Sequence, residues 1–147
     1  MKKIRVFIDG NSGTTGLRIN ERLEKLKNIE LLSISPELRK DLSERARLIR
    51  AADIAFLCLP DEASREICDA LKGEEVKIID TSTAHRTDTD FAYGFAELSD
   101  SHRSSIAKSN RVAVPGCHAS GFIAIVYPLV KRGIISAQSP VSCFSLT

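Results

Sequence analysis

Ile4-Arg5-Val6-Phe7-Ile8-Asp9-Gly10-Asn11-Ser12-Gly13-Thr14-Thr15-Gly16 decides how the rest of the chain is read. The first six residues form a β-branched, apolar run, and three glycines spaced three apart follow at once. Beyond them Leu17, Ile19, Leu23 and Leu26 recur among charges, as on one face of a helix. Strand, glycine turn and helix in that order form the context in which a glycine motif carries chemistry. Gly10 allows the tight turn, and Gly13 lets the backbone approach a pyrophosphate. Gly16 lets the helix pack close to the strand, so that its N-terminus can hold the anion. Asn11, Ser12, Thr14 and Thr15 fill the turn and are candidate contacts to the same cofactor. The spacing is G-x-x-G-x-x-G and not the usual dinucleotide G-x-G-x-x-G, so a flexible surface turn is the competing reading.

Working outward, strand and helix alternate. Residues 29–34 read as a second strand, and Ser35-Pro36-Glu37 as a helix start, with Ser as cap and Pro at the first helical position. The stretch to Ala52 is rich in charge and predicts an exposed helix. Residues 54–59 are nearly all apolar, as expected of a central parallel strand covered on both faces. A helix over 61–71, a buried strand over 76–79 and a polar, aperiodic stretch over 84–93 follow. The pattern then predicts a helix over 97–108, a strand over 111–114, an apolar helical run over 122–130 and a last strand over 140–147. This alternation predicts an α/β fold with a doubly wound, mostly parallel, Rossmann-like sheet that binds its ligand at the carboxyl ends of the strands. The glycine turn, Leu59-Pro60, Thr81-Ser82 and Cys117 all follow such strand ends, which predicts one shared site.

Composition narrows the function. The 147 residues are 43% hydrophobic and 27% charged, ordinary values for a soluble globular protein of one domain's length. A net charge of +2 argues for neither nucleic acid nor an anionic membrane as partner. Trp is absent and aromatics make up 5%, too few for base-stacking platforms. No apolar run reaches a membrane span, and Met1-Lys2-Lys3 leads directly into a strand and not a signal peptide, so a cytoplasmic location is expected. Cys58, Cys68, Cys117 and Cys143 show no C-x-x-C pairing, and three histidines offer no ligand spacing; free thiols and no metal are expected. Cys58, Cys68 and Cys143 read as packing residues.

Cys117 differs, because Pro115-Gly116 precedes it and a helical run follows. Unpaired N–H groups and the positive end of the helix dipole at such a place favour thiolate, the nucleophilic form. A small, buried thiol at a helix start is the alternative. His118 is not read as its base, since adjacent residues on a helix point apart. After the second strand, Ser33 and Ser35 stand where NAD sites carry an acidic residue, and Arg39 and Lys40 lie just beyond. Small hydroxyls and cations suit the 2′-phosphate of NADP, against which Glu37 lies close by. Ser82 follows a strand end and could bind cofactor or substrate phosphate. Arg86, beside His85, could offer a fork to an anionic substrate or lie in an exposed loop. Tyr93 and Glu97 read as structural.

These pieces together resemble the N-terminal part of the N-acetyl-gamma-glutamyl-phosphate reductase family, and more broadly the family shared with aspartate-semialdehyde dehydrogenase. The resemblance rests on 10–16, on Cys58-Leu59-Pro60-Asp61-Glu62-Ala63-Ser64-Arg65-Glu66, on Ile78-Ile79-Asp80-Thr81-Ser82, on Tyr93-Gly94-Phe95-Ala96-Glu97-Leu98 and on Pro115-Gly116-Cys117, in the family's order. It implies an NADPH-dependent enzyme that reduces an acyl phosphate to an aldehyde and releases phosphate through a Cys117 thioester. It also implies an NADP-binding domain over 1–116, and over 117–147 the nucleophile's helix with the start of a second, catalytic domain. Further copies of the full-length enzyme are expected as partners, beside the small-molecule acyl phosphate.

Three positions depart from the family's frequent residues: Val114 replaces Asn, His118 replaces Tyr and Ala96 replaces Pro. They point to the second, shorter subtype. No His here matches the family's general acid/base, so these 147 residues alone are expected to turn over poorly. An aspartate-semialdehyde dehydrogenase and a non-catalytic NADPH-binding module are the alternatives.

Overall fold

The structure, a computed structural model, describes residues 2–146. Six strands form one sheet: β1 (Ile4–Asp9), β2 (Ile29–Leu32), β3 (Ile54–Leu57), β4 (Ile78–Asp80), β5 (Ala92–Tyr93) and β6 (Arg111–Ala113). Their spatial order is β2-β1-β3-β4-β6-β5, and every neighbouring pair is parallel. Four α-helices connect strands, α1 (Thr14–Leu23), α2 (Leu42–Ala51), α3 (Asp61–Ala70) and α4 (Asp100–Lys108), and α5 (Cys117–Lys131) follows β6. The expected doubly wound α/β sheet is therefore present. After β1 the chain adds β2 on one side, then crosses to add β3 on the other. That reversal opens a crevice at the carboxyl ends of β1 and β3.

Strands covered on both faces must be apolar on both, and β1 buries Val6, Phe7, Ile8 and Asp9 in succession. Phe7, Leu57 and Ile78 from the sheet meet Ile49 of α2 and Ile67 and Leu71 at α3, with Ala113 the last chain position in this cluster. Burying each such side chain contributes about 1.5–3 kcal/mol, which makes this layer the main source of stability.

Four expectations need correction. The stretch after Ser35 is not one exposed helix. Pro36–Leu38 makes a single 3-10 turn, and α2 starts at Leu42, where Asp41 accepts a hydrogen bond from the Glu44 N–H at 2.8 Å. Helix α2 buries Arg45, Ala46, Leu48 and Ile49. Its other charges give the segment its exposed character, because they sit outside and pair there, Arg47 with Glu44 and Arg50 with Glu74, each at 2.7 Å. Second, the aperiodic 84–93 stretch ends in β5, an edge strand too short to show alternation, with Ala92 opposite Val112 of β6. Third, 140–146 carries no strand. A strand needs a ladder partner, and here Phe144 and Leu146 are each 98% exposed; Thr147 lies outside the described residues. Fourth, Cys143 is exposed and not packed. Helix α5 begins at Cys117, five residues earlier than the apolar run suggested, and none of its residues is buried.

Candidate functional site

The turn after β1 is built by exclusion. Gly10 has a φ of +83°, and a Cβ on it would stand 2.2 Å from the Cys58 carbonyl oxygen that follows β3. Gly16 is buried in the first turn of α1, where a Cβ would stand 2.3 Å from the Gly10 carbonyl oxygen. These two glycines let turn, helix and neighbouring strand close on one another. Gly13 is different, because no protein atom comes nearer than 3.6 Å to a Cβ placed there. Nothing inside the chain demands glycine at that position, which faces open space at the start of α1. No side chain caps α1 and none in its first turn is acidic, so its leading N–H groups face outward beside exposed Thr14 and Thr15. A phosphate fits such a cradle.

Two further side chains, Arg39 and Leu59, lie against this turn. Arg39, 27 residues away in sequence, donates from Nη1 to the Ser12 hydroxyl at 2.9 Å, which lays a cation across the turn. Ser33 and Ser35 are exposed on the way from β2 to Arg39. Leu59 is half-buried against the turn, its Cδ2 3.3 Å from the Cβ position of Gly10, and Pro60 precedes α3.

Beneath the cradle lies a pair that sequence reasoning missed. Asp9 is 3% exposed and accepts from Arg45 Nε at 2.8 Å; Arg45 is 4% exposed. Arg45 also reaches the Ala63 carbonyl at 3.4 Å and Glu66 at 3.7 Å, tying β1, α2 and α3 together. Burial pushes the Asp9 carboxyl up from its ordinary range, against the pull of the Arg45 hydrogen bond and charge. The signal was present: a carboxylate at the end of a strand buried on both faces needs a counter-charge.

At the end of β4, Asp80 is fully buried and gathers its own loop. It accepts from the Ser82 N–H at 2.9 Å, from the Ser82 hydroxyl at 2.7 Å and from His85 Nδ1 at 2.6 Å. The Ser82 hydroxyl in turn accepts from the Ala84 N–H at 3.2 Å, so it is committed within the loop. His85 stacks on Phe91, ring centroids 4.3 Å apart and planes 6° from parallel. The exposed-loop alternative for His85 and Arg86 is thus corrected: His85 is buried and Arg86 half-buried. Arg86 donates from Nε to the Val114 carbonyl at 3.0 Å and from Nη2 to that of Thr81 at 3.4 Å. Its Nη1 comes within 2.6 Å of where a Cβ on Gly116 would be.

Cys117 follows Gly116 as the first residue of α5 and is exposed. The buried-thiol alternative therefore does not describe it. Burial does push Cys58 up, and Cys68 up to about 11. His118 is bonded to Ser145 and does not form a pair with Cys117. The carboxyl ends of the strands thus hold an open glycine turn after β1 and, at β4 and β6, an exposed thiol with a guanidinium at its turn. Among the described residues no His, Cys, Asp and Glu side chains gather as a metal site, and no helix is long and apolar enough to cross a membrane.

Comparison with known proteins agrees with this layout. Residues 5–106 match the family described as semialdehyde dehydrogenase, NAD binding domain. The chain is 46% identical over 142 residues to an N-acetyl-gamma-glutamyl-phosphate reductase of Trichormus variabilis, covering 97% of this chain and 44% of that one. A reductase of the same name from Brucella ovis is 50% identical over 141 residues, covering 95% and 46%. The chain therefore spans under half the length of these relatives. In fold it is similar to aspartate semialdehyde dehydrogenase from Francisella tularensis, with a TM-score of 0.63 and 18% identity over 88% of this chain and 41% of that one. The same enzyme from Candida albicans, solved with NADP, gives 0.64 and 15% over 89% and 48%. With a parallel sheet, a glycine cradle at its switch point and a family match over most of its length, this chain belongs to the NAD-binding domain family of the semialdehyde dehydrogenases.

Proposed function

We propose that this chain is the nucleotide-binding and nucleophile-bearing part of an NADPH-dependent reductase that converts N-acetyl-gamma-glutamyl phosphate to the semialdehyde and phosphate. The observation that carries the reading is the exposed Cys117 at the start of α5, with the Arg86 guanidinium against Gly116, on the same sheet edge as the glycine cradle. Three strand spacings separate β1 from β6, about 14 Å, a span that an extended dinucleotide bridges. The names of the relatives supply the substrate.

In this reading the N–H groups of α1 and the open face of Gly13 hold the pyrophosphate, with Asn11, Thr14 and Thr15 around it. Arg39, with Ser12, Ser33 and Ser35, holds the 2′-phosphate. Leu59 and Pro60 line the crevice. Ser82 contributes by shaping its loop, and Arg86 meets the phosphate end of the substrate. The Cys117 thiolate attacks the acyl carbon; a C–S bond forms, the C–O bond to phosphate breaks, and phosphate leaves with that electron pair. NADPH held there would supply a hydride to the thioester carbon; the C–S bond would then break, releasing the aldehyde and returning the Cys117 thiolate. Residues 1–116 form the nucleotide domain, and 117–147 open the catalytic part, whose acid–base chemistry is proposed to reside in a protein of the relatives' length. Such a protein would work in the cytoplasm as an oligomer.

Calorimetric titration of the chain tests the cofactor assignment. NADPH is expected to bind about tenfold or more tightly than NADH, and Arg39→Ala to erase the difference, since a hydrogen bond to a charged group contributes about 1.5–3 kcal/mol. Gly13→Ala, whose methyl makes only an ordinary van der Waals contact at 3.6 Å with the Gly10 carbonyl oxygen, is expected to keep the melting temperature and lose most nucleotide affinity. Equal affinities for the two nucleotides would rule out Arg39 as the 2′-phosphate reader, and unchanged binding by Gly13→Ala would rule out the cradle. Thiol reactivity is a separate check. Iodoacetamide at pH 8 is expected to label Cys117 about tenfold or more faster than Cys143, which is also exposed, and to spare buried Cys68. Equal rates at Cys117 and Cys143 would remove the nucleophile assignment.

A further inference from the structure

Segment 81–86 is held from several sides, and each hold is to a different element. Thr81 donates its N–H and hydroxyl to the Leu57 carbonyl of β3, at 2.9 and 3.0 Å. Asp61, the first residue of α3, accepts from the Thr83 N–H at 2.8 Å and from the Thr83 hydroxyl. Those hydrogen bonds hold the Asp61 carboxyl below its ordinary range. The remaining hold is internal to the site, where His85 is pinned between the Asp80 carboxylate and the Phe91 ring. Since a carboxylate oxygen only accepts, Nδ1 carries the proton in that bond. His85 is also the residue immediately before Arg86, whose Nε and Nη2 are drawn to carbonyls at the ends of β6 and β4, leaving Nη1 turned to Gly116. Thr81 and Thr83 fix where the loop starts and how it rises. His85 ties the residue just before Arg86 to the end of β4.

We infer that His85 is a positioning residue: its bond to the fully buried Asp80 sets the Arg86 guanidinium against the turn that carries Cys117. This rests on the proposal that Arg86 receives the anionic end of the substrate beside Cys117, and it adds that Arg86 cannot hold that place alone. Its two carbonyl contacts, at 3.0 and 3.4 Å, are to backbone and are interchangeable with water. The geometry of His85, between a carboxylate and a ring, is not.

The test uses an anionic and a neutral alkylating agent on the chain itself, iodoacetate and iodoacetamide. Their rate ratio is measured at Cys117 by peptide mapping, with exposed Cys143 as reference thiol in the same molecule. A guanidinium beside Cys117 is expected to raise the iodoacetate-to-iodoacetamide ratio about threefold or more over that of Cys143. Arg86→Met is expected to bring it down to the Cys143 value. His85→Gln, whose amide sits one methylene too far out to replace Nδ1, is expected to do the same. His85→Asn, whose amide nitrogen stands where Nδ1 does, is expected to retain the raised ratio although it too loses the stack on Phe91. His85→Phe keeps the stack and lacks the donor, and is expected to behave as Gln does; it serves if the Gln variant does not fold. A ratio lost in Arg86→Met and kept in the Gln or Phe variant overturns the role of His85 and leaves that of Arg86 standing. Equal loss in Asn and Gln likewise overturns it, because the bond would then not be the cause. A wild-type ratio no higher than that of Cys143, unaltered by Arg86→Met, overturns the Arg86 assignment and the inference with it.

Discussion

Replacing Arg45 by Met is expected to destabilise the chain by about 3–5 kcal/mol, read from chemical denaturation at pH 7–8, because it strands a buried carboxylate. Asp9 is 3% exposed, and Arg45 supplies both its hydrogen bond and its neutralising charge. Methionine matches the length of the stem, so cavity formation contributes little and the loss reports on charge. The pH dependence follows from the same geometry. Without Arg45, burial of Asp9 is opposed only by the Gly10 backbone hydrogen bond, so its folded-state pKa rises further above the ordinary 3.8. A carboxyl raised in this way binds its proton better folded than unfolded. Its contribution is therefore most favourable below the unfolded pKa and is lost as pH rises through the folded one. The deficit of Arg45→Met relative to wild type is thus expected to be smaller at pH 5 than at pH 8. The double variant Asp9→Asn/Arg45→Met is expected to be more stable at pH 8 than Arg45→Met alone. A deficit under about 1 kcal/mol, equal at both pH values, would show that the pair is not what holds β1, α2 and α3 together.

The second large effect is expected from Gly10→Ala. Alanine at a φ of +83° is strained by about 1–2 kcal/mol before any contact is counted. Its methyl would then meet the Cys58 carbonyl oxygen at 2.2 Å, a backbone atom of the strand next door that has no rotamer to move into. The sheet must open at the β1–β3 crevice or the turn must unwind, and a loss of about 3 kcal/mol or more, together with nucleotide binding, is expected. The comparison with Gly13→Ala is the informative part. One substitution at the same motif should break the fold and its binding together, the other binding alone. A Gly10→Ala variant that melts like wild type would mean that the turn is looser than the two-ångström approach implies.

Most of the architecture was legible because parallel strands buried on both faces write themselves as unbroken apolar runs, as Ile54-Ala55-Phe56-Leu57 does. Gly10 and Gly16 were legible for a related reason, since the steric demand on each is local to the turn. What escaped was long-range. Arg45 looked like one of many surface charges on 36–52, and only the end of β1, 36 residues earlier, shows why it is inside. His85 looked like loop because its partners, Asp80 and Phe91, act through packing and not through any spacing along the chain. The place of Ser82 at a strand end was legible, but not the bonds of its hydroxyl to Asp80 and from Ala84, which come from the fold of its loop. The strand expected over 140–147 rests on a loose alternation, which records a willingness to pair and not the presence of a partner.

The order in which the sheet is assembled also orders events during synthesis. Every strand pair is parallel, so none can form as a hairpin, and β1 waits for β3 to be made before its second edge is covered. The last core residue is Ala113, four positions ahead of Cys117. A ribosome extends the chain at about 5–20 residues per second. The scaffold of the glycine turn can therefore close while Cys117 is still inside the exit tunnel, and the thiol emerges onto a sheet that already exists.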